Sequence, residues 1–160
     1  MAHHFGSTLL RALIASVALA GFAHTALADG NGRNVPLLPQ YKQECDSCHV
    51  AYPPTLMPAA SWSRILNDLS HHFGTDASVD PASLKTITAW VQTHAGAYKR
   101  VREEPPQDRI TRTAWFERKH REVPAARWSL PAVKSAANCA ACHTQADSGD
   151  FSERNIRTPR

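Results

Sequence analysis

Two short stretches, Cys45-Asp46-Ser47-Cys48-His49 and Cys139-Ala140-Ala141-Cys142-His143, contain every cysteine of the 160-residue chain. Both have the pattern Cys-x-x-Cys-His, which is typical of covalent haem c attachment. In that chemistry the two thiols each form a thioether with one haem vinyl group, and the adjoining histidine binds the iron as proximal ligand. We therefore predict two haem c groups. The predicted attachment residues are Cys45, Cys48 and His49 for haem 1, and Cys139, Cys142 and His143 for haem 2.

The same thiols have other conceivable uses. Cys-x-x-Cys pairs also occur in zinc sites and in dithiol redox centres, and four cysteines in an exported protein ordinarily suggest two disulfides. Neither a zinc site nor a dithiol centre requires a histidine directly after each pair. The two pairs also lie more than ninety residues apart, unlike the closely spaced pairs of a zinc ribbon. The histidines therefore favour haem.

The first 28 residues predict a secretory signal peptide. Arg11 precedes the apolar run 12–23, and Ala26-Leu27-Ala28 forms a small-x-small cleavage site. We expect cleavage after Ala28 and a mature periplasmic chain that begins at Asp29. The apolar run is about a dozen residues long, which is too short to span a bilayer, although an uncleaved anchor is the alternative. No later segment is apolar enough to cross a membrane.

Charge is unevenly distributed along the mature chain of 132 residues (160 minus 28). Residues 29–98 contain four Lys/Arg and six Asp/Glu, whereas residues 99–160 contain thirteen and eight. Such asymmetry can steer an encounter with an acidic partner, or it can be a solvated surface that neutralises haem propionates. Those propionates nearly cancel the net positive charge of the mature chain, so the basic composition does not predict nucleic-acid binding.

Apolar periodicity predicts a mostly α fold with long loops, arranged as a haem 1 lobe over residues 29–98 and a haem 2 lobe over residues 99–160. Asp80 is the expected N-cap of the clearest helix, with Pro81 as its first residue and Gly96 as its stop. The charged segment 99–108 contains Pro105-Pro106 and is the predicted linker between lobes. The other predicted helices cover residues 40–52, 61–74, 113–122 and 135–144.

The sixth ligand of haem 1 must come from a histidine or from Met57, the only methionine of the mature chain. His72 shares an apolar helical stripe with Trp62 and Leu69, whereas His71 points about 100° away from it. We expect His72 to be the distal ligand of haem 1. His94, also on an apolar stripe, and Met57 are the alternatives.

For haem 2, His120 is the only non-proximal histidine after the predicted linker, and it lies one helical turn from Phe116. We expect it to be the distal ligand. His49 precedes His72 by 23 residues, and His120 precedes His143 by the same number. The order of proximal and distal ligand is inverted, so the halves are not a simple tandem duplication. The equal spacing can also be a coincidence.

Several further runs surround these residues. The first half contains Glu44 before the first motif, then Ala51-Tyr52-Pro53-Pro54, Ser61-Trp62 and His72-Phe73-Gly74. The second half contains Arg109-Ile110-Thr111, Trp115-Phe116 before His120, Asn138 before the second motif, and Gly149-Asp150-Phe151-Ser152-Glu153. Through these runs the chain resembles the small exported dihaem cytochromes c over nearly its whole mature length.

The resemblance implies two low-spin, bis-histidine haems with His72 and His120 as distal ligands. It also implies that electrons pass between a membrane b-type cytochrome and a small soluble oxygen-binding monohaem cytochrome c. Without a methionine ligand, both haems should have low potentials. We therefore expect an electron carrier and no enzyme activity. A gas-binding cytochrome or a small dihaem peroxidase would need an open iron, and these remain the alternatives if His72 or His120 does not bind.

Overall fold

The computed structural model describes residues 35–159, so the predicted signal peptide and its cleavage site lie outside the described residues. This part of the chain contains short helices joined by long loops and 3-10 turns, and it has no β-strand, only isolated bridges. The prediction of a mostly α fold is confirmed. The helices are α1 (Pro39–Cys45), α2 (Ala59–Asn67), α3 (Pro81–His94), α4 (Ala114–Lys119) and α5 (Ala125–Trp128).

Helix α3 begins where the sequence predicts. The Asp80 carboxylate accepts hydrogen bonds from the backbone N–H groups of Ala82 (2.9 Å) and Ser83 (3.0 Å). Pro81 follows as the first helical residue, where its missing N–H has no cost. The helix ends at His94, and α2 packs against it. The cap and the Pro81 start are therefore confirmed.

Helix α2 is shorter than predicted. It begins at Ala59 after Pro58 and ends at Asn67, because Asp68 leaves the helical conformation (φ −137°, ψ 46°). A separate 3-10 turn, Leu69–His71, then carries the chain to His72. The prediction of one continuous helix over 61–74 is wrong, so the helical stripe does not extend to His72. The turn at Asp68 instead determines where that histidine points.

The attachment motifs are also less helical than predicted. Helix α1 ends at Cys45, so Cys48 and His49 lie in the following turn, and the second motif contains only the 3-10 turn Cys139–Ala141. The predicted helices 40–52 and 135–144 are therefore wrong in extent. A segment this short gains few hydrogen bonds against the cost of nucleating a helix. In the second motif the backbone forms successive tight turns instead, such as Cys142 N–H to Cys139 O at 3.1 Å.

Helix α4 is a shortened form of the predicted helix 113–122. The hydroxyl of Thr113 accepts a hydrogen bond from the Phe116 N–H at 3.2 Å and caps the helix. The helix ends at Lys119, directly before His120. Sequence analysis did not identify α5, a single turn that follows Pro124.

One hydrophobic core crosses the predicted boundary between lobes at residue 98. Side chains from α2 and α3, such as Trp62 and Val91, belong to the same buried cluster as Ile110 and Ala146. The Trp115 indole N–H also donates to the Leu56 carbonyl at 3.1 Å. Residues on both sides of the predicted boundary therefore pack against each other, and the division into two haem lobes stays a prediction.

The predicted linker 99–108 is anchored at both ends. Val101 is only 2% exposed and packs into the interior. Arg64 on α2 donates two hydrogen bonds to the Asp108 carboxylate, at 2.6 and 2.8 Å, and a third to Glu104 at 2.6 Å. Asp108 and Arg64 thus form a bidentate ion pair, the strong form of this contact.

Gly96, two residues after the end of α3, lies against the backbone of residues 54–57. Its N–H donates to the carbonyls of Met57 (2.8 Å) and Pro54 (3.2 Å). A Cβ atom at this position would overlap Val101 Cγ2 and lie 2.6 Å from the Thr55 carbonyl oxygen. The carbonyl belongs to the backbone, so it cannot move aside as a flexible side chain would. Only glycine fits here.

We predict that Gly96→Ala destabilises the holoprotein by about 1–3 kcal/mol, because the added methyl overpacks a filled site. Chemical denaturation of the wild type and the variant measures the difference in the free energy of unfolding. Ala97→Ser is the control, since Ala97 is exposed and should change stability by less than about 0.5 kcal/mol. Equal free energies of unfolding for Gly96→Ala and the wild type would contradict the packing described.

Candidate haem sites

Four of the histidines form two facing pairs. The imidazole rings of His49 and His72 have centroids 6.2 Å apart and planes inclined by 23°. The rings of His120 and His143 have centroids 6.1 Å apart and planes inclined by 73°. Each pair contains the histidine of one attachment motif and one of the predicted distal ligands.

These separations fit two imidazoles on opposite sides of one metal ion. A metal–imidazole bond of about 2.0 Å, with the bound nitrogen about 1.1 Å from its ring centroid, places two trans ring centroids about 6 Å apart. Direct stacking of two rings would bring them closer, as for Phe116 and His120 at 3.9 Å. Both separations therefore match those expected for two imidazoles that share one iron.

The cysteines are compatible with covalent attachment. All four are free thiols, so no disulfide competes for them. Burial raises the pKa of the Cys45 thiol to about 11, with smaller contributions from Glu44 and Asp46, and burial likewise raises the pKa of Cys139 to about 11. Across residues 35–159, no three His, Cys, Asp or Glu side chains converge in the way that a protein-only zinc centre needs.

His49 is oriented by its own loop. Its Nδ1 lies 2.9 Å from the Val50 carbonyl oxygen, and Nδ1–H donates to that oxygen. The ring also stacks on Tyr52 with centroids 4.6 Å apart and an interplanar angle of 13°. A hydrogen bond at Nδ1 fixes the tautomer in which the Nε2 lone pair is free for a metal.

His120 is oriented in the same way by α4. Its Nδ1–H donates to the Phe116 carbonyl at 2.9 Å. The ring stacks on Phe116 with an interplanar angle of 22°. Trp128 of α5 lies beside both of these rings. Because the Thr113 cap fixes where α4 begins, it also fixes the carbonyl that holds His120.

His72 and His143 have a different environment. The Nδ1 atom of each ring is buried and has no hydrogen-bond partner within residues 35–159. Burial lowers the pKa of His72, and the nearby His49 lowers it further. Burial and His120 lower the pKa of His143, against a smaller opposing effect of Asp150. A lowered pKa favours the neutral imidazole, the form that binds a metal, and the orphaned nitrogens fit sites completed by a group outside the polypeptide.

The two pairs share a structural pattern along the sequence. The earlier histidine of each pair, His49 or His120, has Nδ1 bound to a carbonyl and a flat-stacked aromatic ring. The later one, His72 or His143, has an orphaned Nδ1 and an edge-on phenylalanine. The 23-residue spacing thus has a structural counterpart. By environment, the predicted proximal residue His49 corresponds to the predicted distal residue His120, and the predicted distal residue His72 corresponds to the predicted proximal residue His143.

The remaining candidate ligands lie elsewhere. Met57 is 2% exposed and belongs to the core cluster. His94 Nδ1 contacts the Trp90 carbonyl at 2.7 Å. His71 is exposed and pairs with Asp68 at 2.7 Å. None of these three side chains belongs to either facing pair.

The sequence placed Phe116 one turn from His120 but did not predict that Phe116 or Tyr52 stacks on a candidate ligand, as both do. Tyr52 follows His49 by three positions and Phe116 precedes His120 by four. An aromatic residue within one turn of a candidate ligand is the signal that could have identified them. Burial raises the pKa of the Tyr52 phenol well above its usual value, with a smaller contribution from Cys139.

None of the helices within residues 35–159 is both long and apolar enough to span a membrane. The structure therefore provides no membrane-spanning helix in the region that holds the two sites.

Comparison with known proteins gives a consistent result. The solved diheme cytochrome type c from Shewanella baltica OS155 has 37% sequence identity and a TM-score of 0.67, over 78% of this chain and 95% of that one. The crystal structure of DHC from Rhodobacter sphaeroides has 41% identity and a TM-score of 0.62, over 73% and 99%. No curated protein matches the chain. The family model for dihaem cytochrome c matches residues 41–151, which include both attachment motifs and both facing pairs. The chain therefore belongs to the dihaem cytochrome c family and carries two haem c groups.

Proposed function

We propose that this dihaem cytochrome c is a one-electron carrier with two bis-histidine haems. His49 and His72 bind the iron of haem 1, and His143 and His120 bind the iron of haem 2. The observation that carries the proposal is the separation of the facing imidazoles, 6.2 and 6.1 Å between ring centroids. Haem c supplies reversible one-electron chemistry at its iron when bound.

The chain's own residues support low potentials for both sites. The carbonyls of Val50 and Phe116 accept from Nδ1–H of His49 and His120, which makes each imidazole a stronger electron donor. A stronger donor favours ferric over ferrous iron. The residue that would raise a potential by ligation, Met57, is buried in the core. Both haems should therefore have low reduction potentials.

The paired imidazoles also favour a carrier over an enzyme. If His49 and His72, and His120 and His143, each hold one haem, neither site would leave a position open for peroxide or a gas. The chain then has to bind, orient and shield two haems, with no substrate site to maintain. A gas-binding or peroxidase function would require one histidine of a pair to remain unbound.

We further propose that the mature chain acts in the periplasm after cleavage at Ala28. The signal sequence supports this location. The resemblance to small exported dihaem cytochromes c suggests a membrane b-type cytochrome and a small oxygen-binding monohaem cytochrome c as redox partners. The cationic segment 99–160 supports docking to an acidic surface on one of them.

We predict that His72→Ala and His120→Ala each convert one of the two haems to a high-spin form that binds carbon monoxide. The other haem should stay low-spin, because each variant removes one ligand from one pair. Optical spectra of the oxidised and reduced holoproteins, with and without carbon monoxide, measure this.

His71→Ala and His94→Ala are the matched controls, since both side chains lie outside the facing pairs. Both controls should retain two low-spin haems. A carbon monoxide adduct in either control, or its absence in His72→Ala or His120→Ala, would refute the ligand assignment.

We also predict that the two ferric haems give different low-spin EPR signals. Near-parallel imidazole planes, as for His49 and His72 at 23°, interact with the same iron d orbital and split the d levels. Near-perpendicular planes, as for His120 and His143 at 73°, keep two d levels nearly equal and increase the g anisotropy. EPR of the frozen ferric holoprotein should show one ordinary rhombic signal and one of large anisotropy, in equal amounts.

In the EPR experiment, His120→Ala should remove only the signal of large anisotropy, and His72→Ala only the rhombic one. Two identical signals in the wild type would contradict the ring geometry described here.

A further inference from the structure

The two haem sites meet at one buried side chain, Tyr52. Its ring stacks on His49 with centroids 4.6 Å apart. Its hydroxyl donates a hydrogen bond to the Ala137 carbonyl at 2.5 Å, across 85 positions of sequence. Ala137 lies two residues before Cys139, the first attachment cysteine of haem 2. A single tyrosine thus contacts the proximal ligand of one site and the attachment segment of the other.

The hydrogen bond to Ala137 brings Tyr52 to the second attachment motif, because Cys139 follows Ala137 by two residues. When haem 2 is attached, the Cys139 sulfur is part of the thioether that joins the chain to the porphyrin. The tyrosine therefore links a proposed histidine ligand of haem 1 to the segment that carries an attachment atom of haem 2.

Tyr52 is held firmly in this position. The residue is 8% exposed, and its own carbonyl accepts a hydrogen bond from the Tyr41 hydroxyl at 2.8 Å. Tyr41 is itself 3% exposed and belongs to the core cluster. Pro53 and Pro54 follow directly and restrict the backbone. The ring is thus held by His49, the hydroxyl by the Ala137 carbonyl, and the backbone by Tyr41.

Resting on the bis-histidine sites proposed above, we propose that Tyr52 is a positioning residue that couples the two haems. Its ring packs on the His49 imidazole and its hydroxyl bonds to the segment that precedes Cys139, so it provides a direct stacked and hydrogen-bonded route between the sites. The covalent route along the backbone from His49 to Cys139 is 90 residues long, so it contributes nothing to the coupling.

The coupled step is a single electron transfer. The haems that His49 and His72, and His120 and His143, would hold would supply one-electron chemistry, and a single electron would pass between these two sites in either direction. No bond forms or breaks, and no proton moves. The tyrosine is not oxidised. It lowers the barrier to tunnelling because stacked and hydrogen-bonded contacts transmit an electron better than a gap of the same length.

The test compares Tyr52→Phe, Tyr52→Leu and the wild-type holoprotein. Tyr52→Phe keeps the ring on His49 and removes the hydrogen bond to Ala137, whereas Tyr52→Leu also removes the stack. Two-dimensional exchange NMR of the partly reduced protein, read on the haem methyl signals, measures the intramolecular exchange rate. Redox titration measures both midpoint potentials.

We expect several-fold slower exchange in Tyr52→Phe, with both haems low-spin and both potentials unchanged, and slower exchange still in Tyr52→Leu. The control is Tyr98→Phe, a tyrosine that is 40% exposed, and it should exchange like the wild type. If Tyr52→Leu fails to fold, Tyr52→Phe alone decides the test.

Wild-type exchange in Tyr52→Phe, or a slowing fully explained by a changed potential difference, would overturn the coupling role. Equal slowing in Tyr98→Phe would overturn it as well. These outcomes differ from failure of the proposed function, which would show as a high-spin or carbon monoxide-binding haem in the wild type.

Discussion

The structure depends on one constraint, applied twice: two imidazole rings must face each other across a gap of about 6 Å. Within each pair, the two rings are held in different ways. A backbone carbonyl and a stacked aromatic ring hold His49 and His120. His72 and His143 each lie edge-on to a phenylalanine ring instead. The helices and turns of the chain serve mainly to place these four side chains.

The same constraint explains why so little of the chain is regular. The helices between residues 35 and 159 are short, and α3 is the longest of them at 14 residues. Helices of such length gain little stability in isolation and depend on packing. A small domain with short helices needs a further source of stability, and two covalently attached porphyrins supply it. Irregular backbone is then tolerated where an attached haem fixes the geometry.

The parts of the structure that follow from local chemistry could be predicted from sequence. Asp80 and Pro81 start α3 because a carboxylate cap and a proline without N–H suit the first turn. The Cys-x-x-Cys-His motifs follow from the chemistry of attachment, and the family comparison confirms two haems. His72 and His120 as distal ligands stay predictions, although both lie opposite an attachment histidine.

What sequence could not give depends on long-range contacts. Helical periodicity continued past Asp68, where the backbone in fact turns and redirects His72. The stacking of Tyr52 on His49 and its bond to Ala137 join segments 85 positions apart, and no local pattern encodes such a distance. The segment 99–108 is predicted to be a linker because it is charged and contains prolines, and the contacts of Arg64 and the burial of Val101 that anchor it are not visible in the local sequence.

The central claim is that both irons have histidine on both sides. The most direct measurement is the optical spectrum of the purified wild-type holoprotein, oxidised and reduced, with and without carbon monoxide, together with a count of covalent haems per chain. We expect two haems per chain, low-spin in both oxidation states and unchanged by carbon monoxide. A high-spin band or a carbon monoxide adduct would contradict the claim and favour a site that binds a gas or peroxide.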